Sequence, residues 1–209
     1  YAIPSIPISP ENISHPNPAP AGEVLEVKAT QHLDRNHGLY VRFAKGDWVG
    51  GQPGGYTEVG DRIEYDIYVC EDSEKTKGIF YAPGRGWDPM FKPNSGLNQD
   101  GEHLYNMTLP KGEWTRQVAG IGVNCPGVTV INYLVMRDGG AGYYHFYIDN
   151  VVVRKSDGTI RTVLWKSHED TTPLIYSYQR KLKHSLKDAK SVPGFPFEDV
   201  DIKAIELPE

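Results

Sequence analysis

Apolar and polar side chains alternate along the middle of the chain, most regularly between Arg62 and Glu71. Apolar side chains occupy every second position of this stretch, at Ile63, Tyr65, Ile67 and Val69. The positions between them hold Glu64, Asp66 and Tyr68. A period of two places the two sets on opposite faces of a strand, so the pattern predicts an antiparallel strand that is buried on one face.

Shorter runs rich in β-branched and aromatic residues recur on both sides of that strand, with turn residues between them. The additional predicted strands are Val24–Thr30, Leu39–Ala44, Gly78–Ala82, His103–Leu109, Glu113–Val118, Val128–Arg137, Tyr143–Arg154 and Thr159–Lys166. Between the last two, Ser156-Asp157-Gly158 has the composition of a hairpin turn. Residues 23–167 are therefore predicted to form an all-β domain, an antiparallel β-sandwich or barrel.

The two ends of the chain have different patterns. Residues 1–22 contain six prolines, which disfavour both helix and central strand. We expect a stiff arm there, which either tethers the domain to another module or packs along it. In residues 168–209, apolar side chains recur every four positions, at Leu174, Tyr178, Leu182 and Leu186. This spacing predicts a short C-terminal helix with one apolar stripe, followed by a tail.

Charge and cysteine content narrow the choice of partners. The formal net charge of −5 offers no electrostatic reason to expect binding to nucleic acid or to an anionic membrane. The chain has two cysteines, Cys70 and Cys125. A disulfide between them would suit an oxidising compartment, and two buried free thiols are the alternative. The sequence leaves this choice open.

Catalysis by paired carboxylates is one candidate function. Glu64 and Asp66 are two residues apart on a predicted strand, so their side chains project from the same face. Paired acids on a sandwich could cleave a glycosidic bond, which makes a small glycoside hydrolase or polysaccharide lyase one alternative. The opposing interpretation is that both acids are ordinary polar residues of the outward face. The sequence contains neither a Gly-x-Ser-x-Gly elbow nor a His-Glu-x-x-His metal motif.

Two tryptophans in glycine-rich segments are the leading candidates for ligand contact. Trp48 and Trp87 lie among glycine and charged residues, outside any apolar period. The apolar C–H faces of sugars stack on aromatic rings, while sugar hydroxyls need charged or amide partners. The alternative is that these rings cap an edge of the sandwich. Trp114 and Trp165 lie within strand patterns and are predicted to be core.

A polar sheet face is the second candidate for a binding surface. Its members are expected to be Arg42, Glu64, Asp66, Tyr133 and Arg137, which project outward from predicted strands. If these rows adjoin, they form a groove of acids, arginines and tyrosines that suits polyhydroxyl ligands. An ordinary hydrated sheet face is the alternative.

Three sequence elements resemble those of jelly-roll carbohydrate-binding modules. They are Ile148-Asp149-Asn150-Val151 at the end of an aromatic strand, Gly112-Glu113-Trp114-Thr115, and Gly60–Tyr65. The resemblance spans residues 22–166. It implies a jelly roll that binds carbohydrate without cleaving it, as a module of a secreted or extracellular enzyme with an attached catalytic domain. A protein-binding surface domain is a further alternative.

The resemblance also implies a bound metal ion. In such modules the aspartate of the Ile-Asp-Asn-Val element often helps to hold a structural calcium, so Asp149 is a candidate Ca²⁺ ligand. The alternative is that Asp149 caps a β-bulge or turn.

Overall fold

The computed structural model describes residues 23–31, 39–42, 55–58, 60–76, 79–83, 108–120, 129–136, 141–165, 174–179, 182–185 and 197–207. The strands within these ranges are β1 (Glu23–Gln31), β2 (Leu39–Arg42), β3 (Gly55–Thr57), β4 (Arg62–Val69), β5 (Ile79–Pro83), β6 (Trp114–Gly120), β7 (Thr129–Met136), β8 (Gly142–Arg154), β9 (Ile160–Trp165), β10 (Leu174–Gln179), β11 (Leu182–Ser185) and β12 (Phe197–Glu206). The described residues contain no helix, which confirms the predicted all-β class.

The strands form two six-stranded sheets whose neighbours all run antiparallel. The first sheet has the order β12-β1-β8-β4-β6, and β9 also pairs with β8. The second sheet has the order β11-β10-β2-β7-β3, and β5 also pairs with β7. Most of the predicted strands therefore form. His103–Leu109 lies largely outside the described residues, as does the predicted arm at residues 1–22.

One face of the first sheet is apolar and fully buried. Its members with no exposed surface are Leu25, Val27, Ala29, Ile63, Tyr65, Ile67, Tyr144, Phe146, Ile148 and Val153. They adjoin across strands, since Ile67 and Leu25 both pair with Ile148. Each large apolar side chain removed from water contributes roughly 1.5–3 kcal/mol, so this face is the main stabilising core among the described residues.

The predicted hairpin at Ser156-Asp157-Gly158 is confirmed. It joins β8 to β9, and the Lys155 backbone N donates to the Thr159 carbonyl oxygen at 2.8 Å. Gly158 has a φ of 89°. Glycine adopts this positive φ with little strain because it has no Cβ. Asp157 Oδ1 also accepts hydrogen bonds from the backbone and the hydroxyl of Thr159.

The predicted C-terminal helix is wrong. Leu174–Gln179 and Leu182–Ser185 are instead the antiparallel strands β10 and β11, and β10 also pairs with β2. Four is a multiple of two, so apolar residues spaced four apart, such as Leu174 and Tyr178, also share one face of a strand. Pairing with a distant strand then decides between the two periods.

The last described segment also belongs to the fold. Phe197–Glu206 forms β12, which pairs with β1 along its length, from Glu23 opposite Glu206 to Gln31 opposite Phe197. The stretch that the sequence indicated only as a tail is thus an edge strand of the first sheet.

Candidate functional site

The face of the first sheet opposite the apolar core carries polar and aromatic side chains, and we call it the polar face. On β8 its members are Tyr143, His145, Tyr147 and Asp149, which alternate with the buried Tyr144, Phe146 and Ile148. The residues of Tyr-Tyr-His-Phe-Tyr-Ile-Asp thus face the polar side and the buried core in turn, because successive side chains of a strand point in opposite directions.

Three aromatic rings of the polar face meet where β4 ends and β6 begins, and we call them the aromatic cluster. Tyr68 pairs directly with both Trp114 and Tyr147. Its ring centroid lies 5.6 Å from that of Trp114 and 5.7 Å from that of Tyr147, and the Tyr147 pair is stacked. The Trp114 and Tyr147 centroids are 6.5 Å apart. All three side chains are only half-buried, so part of this apolar surface stays open to solvent.

Beside the aromatic cluster lies a set of charged side chains, with one asparagine, that we call the ion-pair network. Its members are Arg62, Glu64, Asp66, Arg116, Asn150 and Arg154. Glu64 Oε1 accepts hydrogen bonds from Nε of Arg62 at 2.6 Å and from Nε of Arg154 at 2.9 Å. Its other oxygen lies 3.4 Å from Nη1 of Arg116. Glu64 is 1% exposed, so three arginines surround a carboxylate that is almost sealed from water.

Asp66 is held in the same way. Oδ1 accepts a hydrogen bond from Nε of Arg116 at 2.8 Å, and Oδ2 accepts one from Nη2 of Arg116 at 3.0 Å. Oδ2 also accepts a hydrogen bond from Nδ2 of Asn150 at 2.8 Å. Although burial acts to lower the pKa of Arg116, the hydrogen bond to Asp66 and the charges of Asp66, Glu64 and Asp149 raise it overall. Asp66 has no exposed surface. The expectation that Glu64 and Asp66 lie on an open, hydrated face is therefore wrong.

Asp149 lies at a β-bulge. The pairing of β4 with β8 shifts between Glu64 and Asp66, and Asp149 is the partner of Asp66 across the strands. Asn150 takes a φ of 49°, and its backbone N donates to Asp149 Oδ1 at 2.7 Å. This is the bulge role that the sequence left open beside calcium binding. Asp149 is 1% exposed.

At the other end of the polar face, Cys70, Asp72 and His145 form a group that we call the thiol–imidazole cluster. One ligand atom from each lies within 4.8 Å of the other two. His145 Nδ1 is 2.7 Å from Asp72 Oδ1, and its Nε2 is 3.0 Å from Glu26 Oε1. Cys70 is a buried free thiol, and Cys125 lies outside the described residues. Burial raises the pKa of Cys70 to about 11, against the effect of a hydrogen bond with Tyr147.

The structure separates the residues predicted to form one groove. Arg42 and Tyr133 are direct neighbours across β2 and β7 of the second sheet. Glu64 and Asp66 lie on β4 of the first sheet, so these two pairs do not share a sheet. Trp48, Trp87 and Arg137 lie outside the described residues.

The sequence interpretation assigned the wrong environment to one tryptophan. Trp165 is 2% exposed and is core, as predicted. Trp114, also predicted as core, is half-buried and belongs to the aromatic cluster. Arg116 lies two positions further along β6 and therefore shares a face with Trp114. This charged neighbour was the signal that Trp114 faces the polar side. Tyr147, His145 and Cys70 were also missed as site residues, because only cross-strand pairing brings them to Tyr68 and Asp72.

Comparison with known protein families, curated proteins and solved structures finds no match for this chain. Within the described ranges, no helix is long and apolar enough to cross a membrane. The candidate function therefore rests on the chemistry of the polar face.

Proposed function

We propose that this chain is a non-catalytic carbohydrate-binding domain and that the aromatic cluster contacts the sugar. The observation that carries the proposal is the half-buried group of Tyr68, Trp114 and Tyr147, with ring centroids 5.6–6.5 Å apart. Three adjacent rings on a sheet provide an apolar surface on which pyranose C–H faces stack. Apolar surface that stays open to solvent and is rimmed by polar residues is a feature of ligand-binding sites.

Hydrogen-bonding groups lie on both sides of the rings. On β8, Tyr147 stands between His145 and Asp149 on the same face, and on β4 Tyr68 follows Asp66. The Tyr147 ring contacts the His145 ring edge-on, with centroids 5.5 Å apart. Asp66 and Asp149 are buried, so the sugar contacts proposed here are the three rings themselves.

The state of the paired acids supports binding rather than cleavage. A glycosidase needs two carboxyl groups that reach the scissile bond from opposite sides. Glu64 and Asp66 are buried, and arginine or asparagine donors occupy their oxygens. Their geometry supports a structural ion-pair network that stiffens the sheet beside the rings.

We further propose that the two sheets pack as a jelly-roll sandwich. Chain-successive strands move between the sheets, since β1, β4, β6 and β8 belong to the first and β2, β5 and β7 to the second. Such switching is typical of a double-sheet jelly roll. The apolar face of the first sheet also needs a cover, and β3 of the second sheet lies against β8 and β9 of the first.

The remaining proposals follow from the resemblance to carbohydrate-binding modules. We propose that the domain is secreted and directs an attached catalytic domain to its polysaccharide. Arg42 and Tyr133, as neighbours on the second sheet, and Trp48, Trp87 and Arg137 remain proposed contacts of a carbohydrate ligand.

The deciding experiment is a binding screen of the chain against a panel of soluble polysaccharides by affinity electrophoresis, followed by calorimetry on any polysaccharide that binds. Trp114→Ala should weaken binding by about tenfold to a hundredfold, since stacking on an aromatic ring is worth roughly 1–3 kcal/mol. Ile160→Ala is the matched control, because Ile160 is an exposed apolar residue, 48% exposed, outside the aromatic cluster.

Two results would contradict carbohydrate binding without catalysis, and a third would contradict the role of the aromatic cluster. One is the absence of binding across the panel by folded protein, which would favour a protein-binding domain. The other is new reducing ends or unsaturated products in the same incubations, lost in Glu64→Gln, which would favour the enzyme. Equal affinity in folded Trp114→Ala would move the sugar site away from the aromatic cluster.

A further inference from the structure

We propose that the thiol–imidazole cluster of Cys70, Asp72 and His145 binds one zinc-like transition-metal ion. The three residues offer a thiolate sulfur, an imidazole nitrogen and a carboxylate oxygen within 4.8 Å of one another. These are the donor types that Zn²⁺ takes in proteins, usually in tetrahedral geometry. A sulfur and a nitrogen donor suit zinc or cobalt better than calcium, which takes six to eight oxygens.

The backbone already fixes the positions of the three ligands. Cys70 N donates to the His145 carbonyl oxygen at 3.0 Å, which ties the end of β4 to β8. Ser73 Oγ accepts a hydrogen bond from the backbone N of His145 at 3.1 Å and donates one to the Lys75 carbonyl oxygen at 2.7 Å. These two bonds close the turn that carries Asp72. The donors therefore come from two strand segments and a short turn that are hydrogen-bonded together, which lowers the cost of arranging them around an ion.

His145 has the surroundings of a metal ligand. Its Nε2 is 3.0 Å from Glu26 Oε1, and Glu26 is also 2.7 Å from the Lys28 ammonium. A ligating histidine commonly gives its other ring N–H to a carboxylate, which fixes the ring orientation. The ion would therefore bind at Nδ1, on the side of Asp72. The present Nδ1–Oδ1 distance of 2.7 Å would open to about 3.3 Å, the separation of two ligands about 2.0–2.1 Å from one tetrahedral ion.

The same contacts argue against a cysteine–histidine nucleophile. A base that activates a thiol needs a free ring nitrogen to accept the proton. Both ring nitrogens of His145 face carboxylates, Asp72 on one side and Glu26 on the other. A metal ion at Nδ1 uses this arrangement, whereas thiol activation would have to break it.

The cluster has an open side. The Asp72 side chain is 61% exposed, whereas the His145 side chain is 11% exposed. An ion can thus enter from solvent past Asp72, and three protein ligands leave a fourth position for water or another oxygen ligand.

The test is a titration of the full chain, stripped with chelator, with CoCl₂ and then with ZnCl₂. We expect one Co²⁺ per chain, a near-ultraviolet charge-transfer band from cobalt–thiolate bonding, and displacement of that band by Zn²⁺. Cys70→Ser should abolish the band, and Asp72→Asn should lower the affinity for Co²⁺ at least tenfold. Cys125→Ser and Glu71→Gln are matched controls that should keep both the band and the affinity.

Three outcomes would overturn the proposal. They are saturation without a thiolate band, loss of the band in Cys125→Ser rather than in Cys70→Ser, and unchanged cobalt affinity in Asp72→Asn. Because Asp72 is largely exposed, its variant tests the site even if Cys70→Ser does not fold. Sugar binding is not a readout here, so failure of this proposal and failure of the proposed function can be told apart.

Discussion

Arg116 holds Asp66 with two parallel hydrogen bonds across β6 and β4, from Nε to Oδ1 at 2.8 Å and from Nη2 to Oδ2 at 3.0 Å. The two residues are direct partners in the strand register. Bidentate pairing between a guanidinium and a carboxylate is the strong form of this interaction, and here the carboxylate has no contact with solvent.

Removing this arginine should destabilise the domain more than removing an exposed cation. Arg116→Ala leaves Asp66 buried without its main charge partner, and breaking a buried pair typically costs roughly 3–5 kcal/mol. Arg116→Lys should recover only part of the loss, because an ammonium cannot make the bidentate contact. The free energy of unfolding from urea denaturation measures both effects.

The control for that experiment is an exposed ion pair on β12. Lys203 lies 2.8 Å from Asp201, and both side chains are about half exposed, at 52% and 50%. Lys203→Ala should change the free energy of unfolding by less than about 1 kcal/mol. A similar loss in Lys203→Ala and Arg116→Ala would show that the buried network adds nothing particular to stability.

The tryptophans of the glycine-rich segments provide a second test. Trp87→Ala, and to a smaller degree Trp48→Ala, should weaken polysaccharide binding while leaving the melting temperature nearly unchanged. A core tryptophan would instead lose about 3–5 kcal/mol of stability on truncation. Calorimetry and thermal unfolding of the same variants separate the two interpretations. If Trp87→Ala weakens binding and Trp114→Ala does not, the sugar site lies in these segments rather than on the aromatic cluster.

Calcium binding at Asp149 predicts a change in thermal stability. If Asp149 holds a structural Ca²⁺, chelation should lower the melting temperature and added Ca²⁺ should restore it, because a ligand that binds only the folded state stabilises it. Asp149→Ala should abolish the difference. The measurement belongs in a Cys70→Ser background, so that an ion at the thiol–imidazole cluster does not contribute. Identical melting curves in chelator and in Ca²⁺ would argue against a weakly held calcium ion.

The hairpin between β8 and β9 makes a prediction about pH. The pKa of Asp157 is lowered from its ordinary value of 3.8, first by the hydroxyl of Thr159 and then by the Thr159 backbone N–H. A lowered pKa in the folded state means that this contribution to stability is present above the ordinary value. It is lost as the pH falls through the lowered pKa.

A carboxyl ¹³C titration by NMR measures the pKa of Asp157 directly. Thr159→Val removes the hydroxyl donor and should move that pKa upward, toward 3.8, without returning it fully, because the backbone donor remains. A pKa at or above 3.8 in the unmodified chain would contradict the contacts seen at this turn.

The sequence pattern agrees with the structure in the middle of the chain and differs from it between Leu174 and Leu186. The β-branched and aromatic composition located β8. Periodicity in two located β4, because a strand buried on one face needs that alternation wherever it pairs. The same reasoning failed between Leu174 and Leu186, where a spacing of four fits both a helix and a strand. The partner strand β2, more than a hundred residues away, decided the outcome. No pattern within residues 174–186 identifies β2 as the pairing partner.

The candidate site divides in the same way. The alternation within the chain determined that Glu64, Asp66 and Tyr68 share a face. The turn composition determined that Asp157 and Gly158 make a turn. Both features depend on neighbouring residues alone. Only the tertiary structure decided that β4 lies between β6 and β8. That order sets Trp114 and Tyr147 beside Tyr68, and Arg116 against Asp66. Cross-strand contacts depend on register, and register is set by the packing of the whole sheet rather than by any single strand.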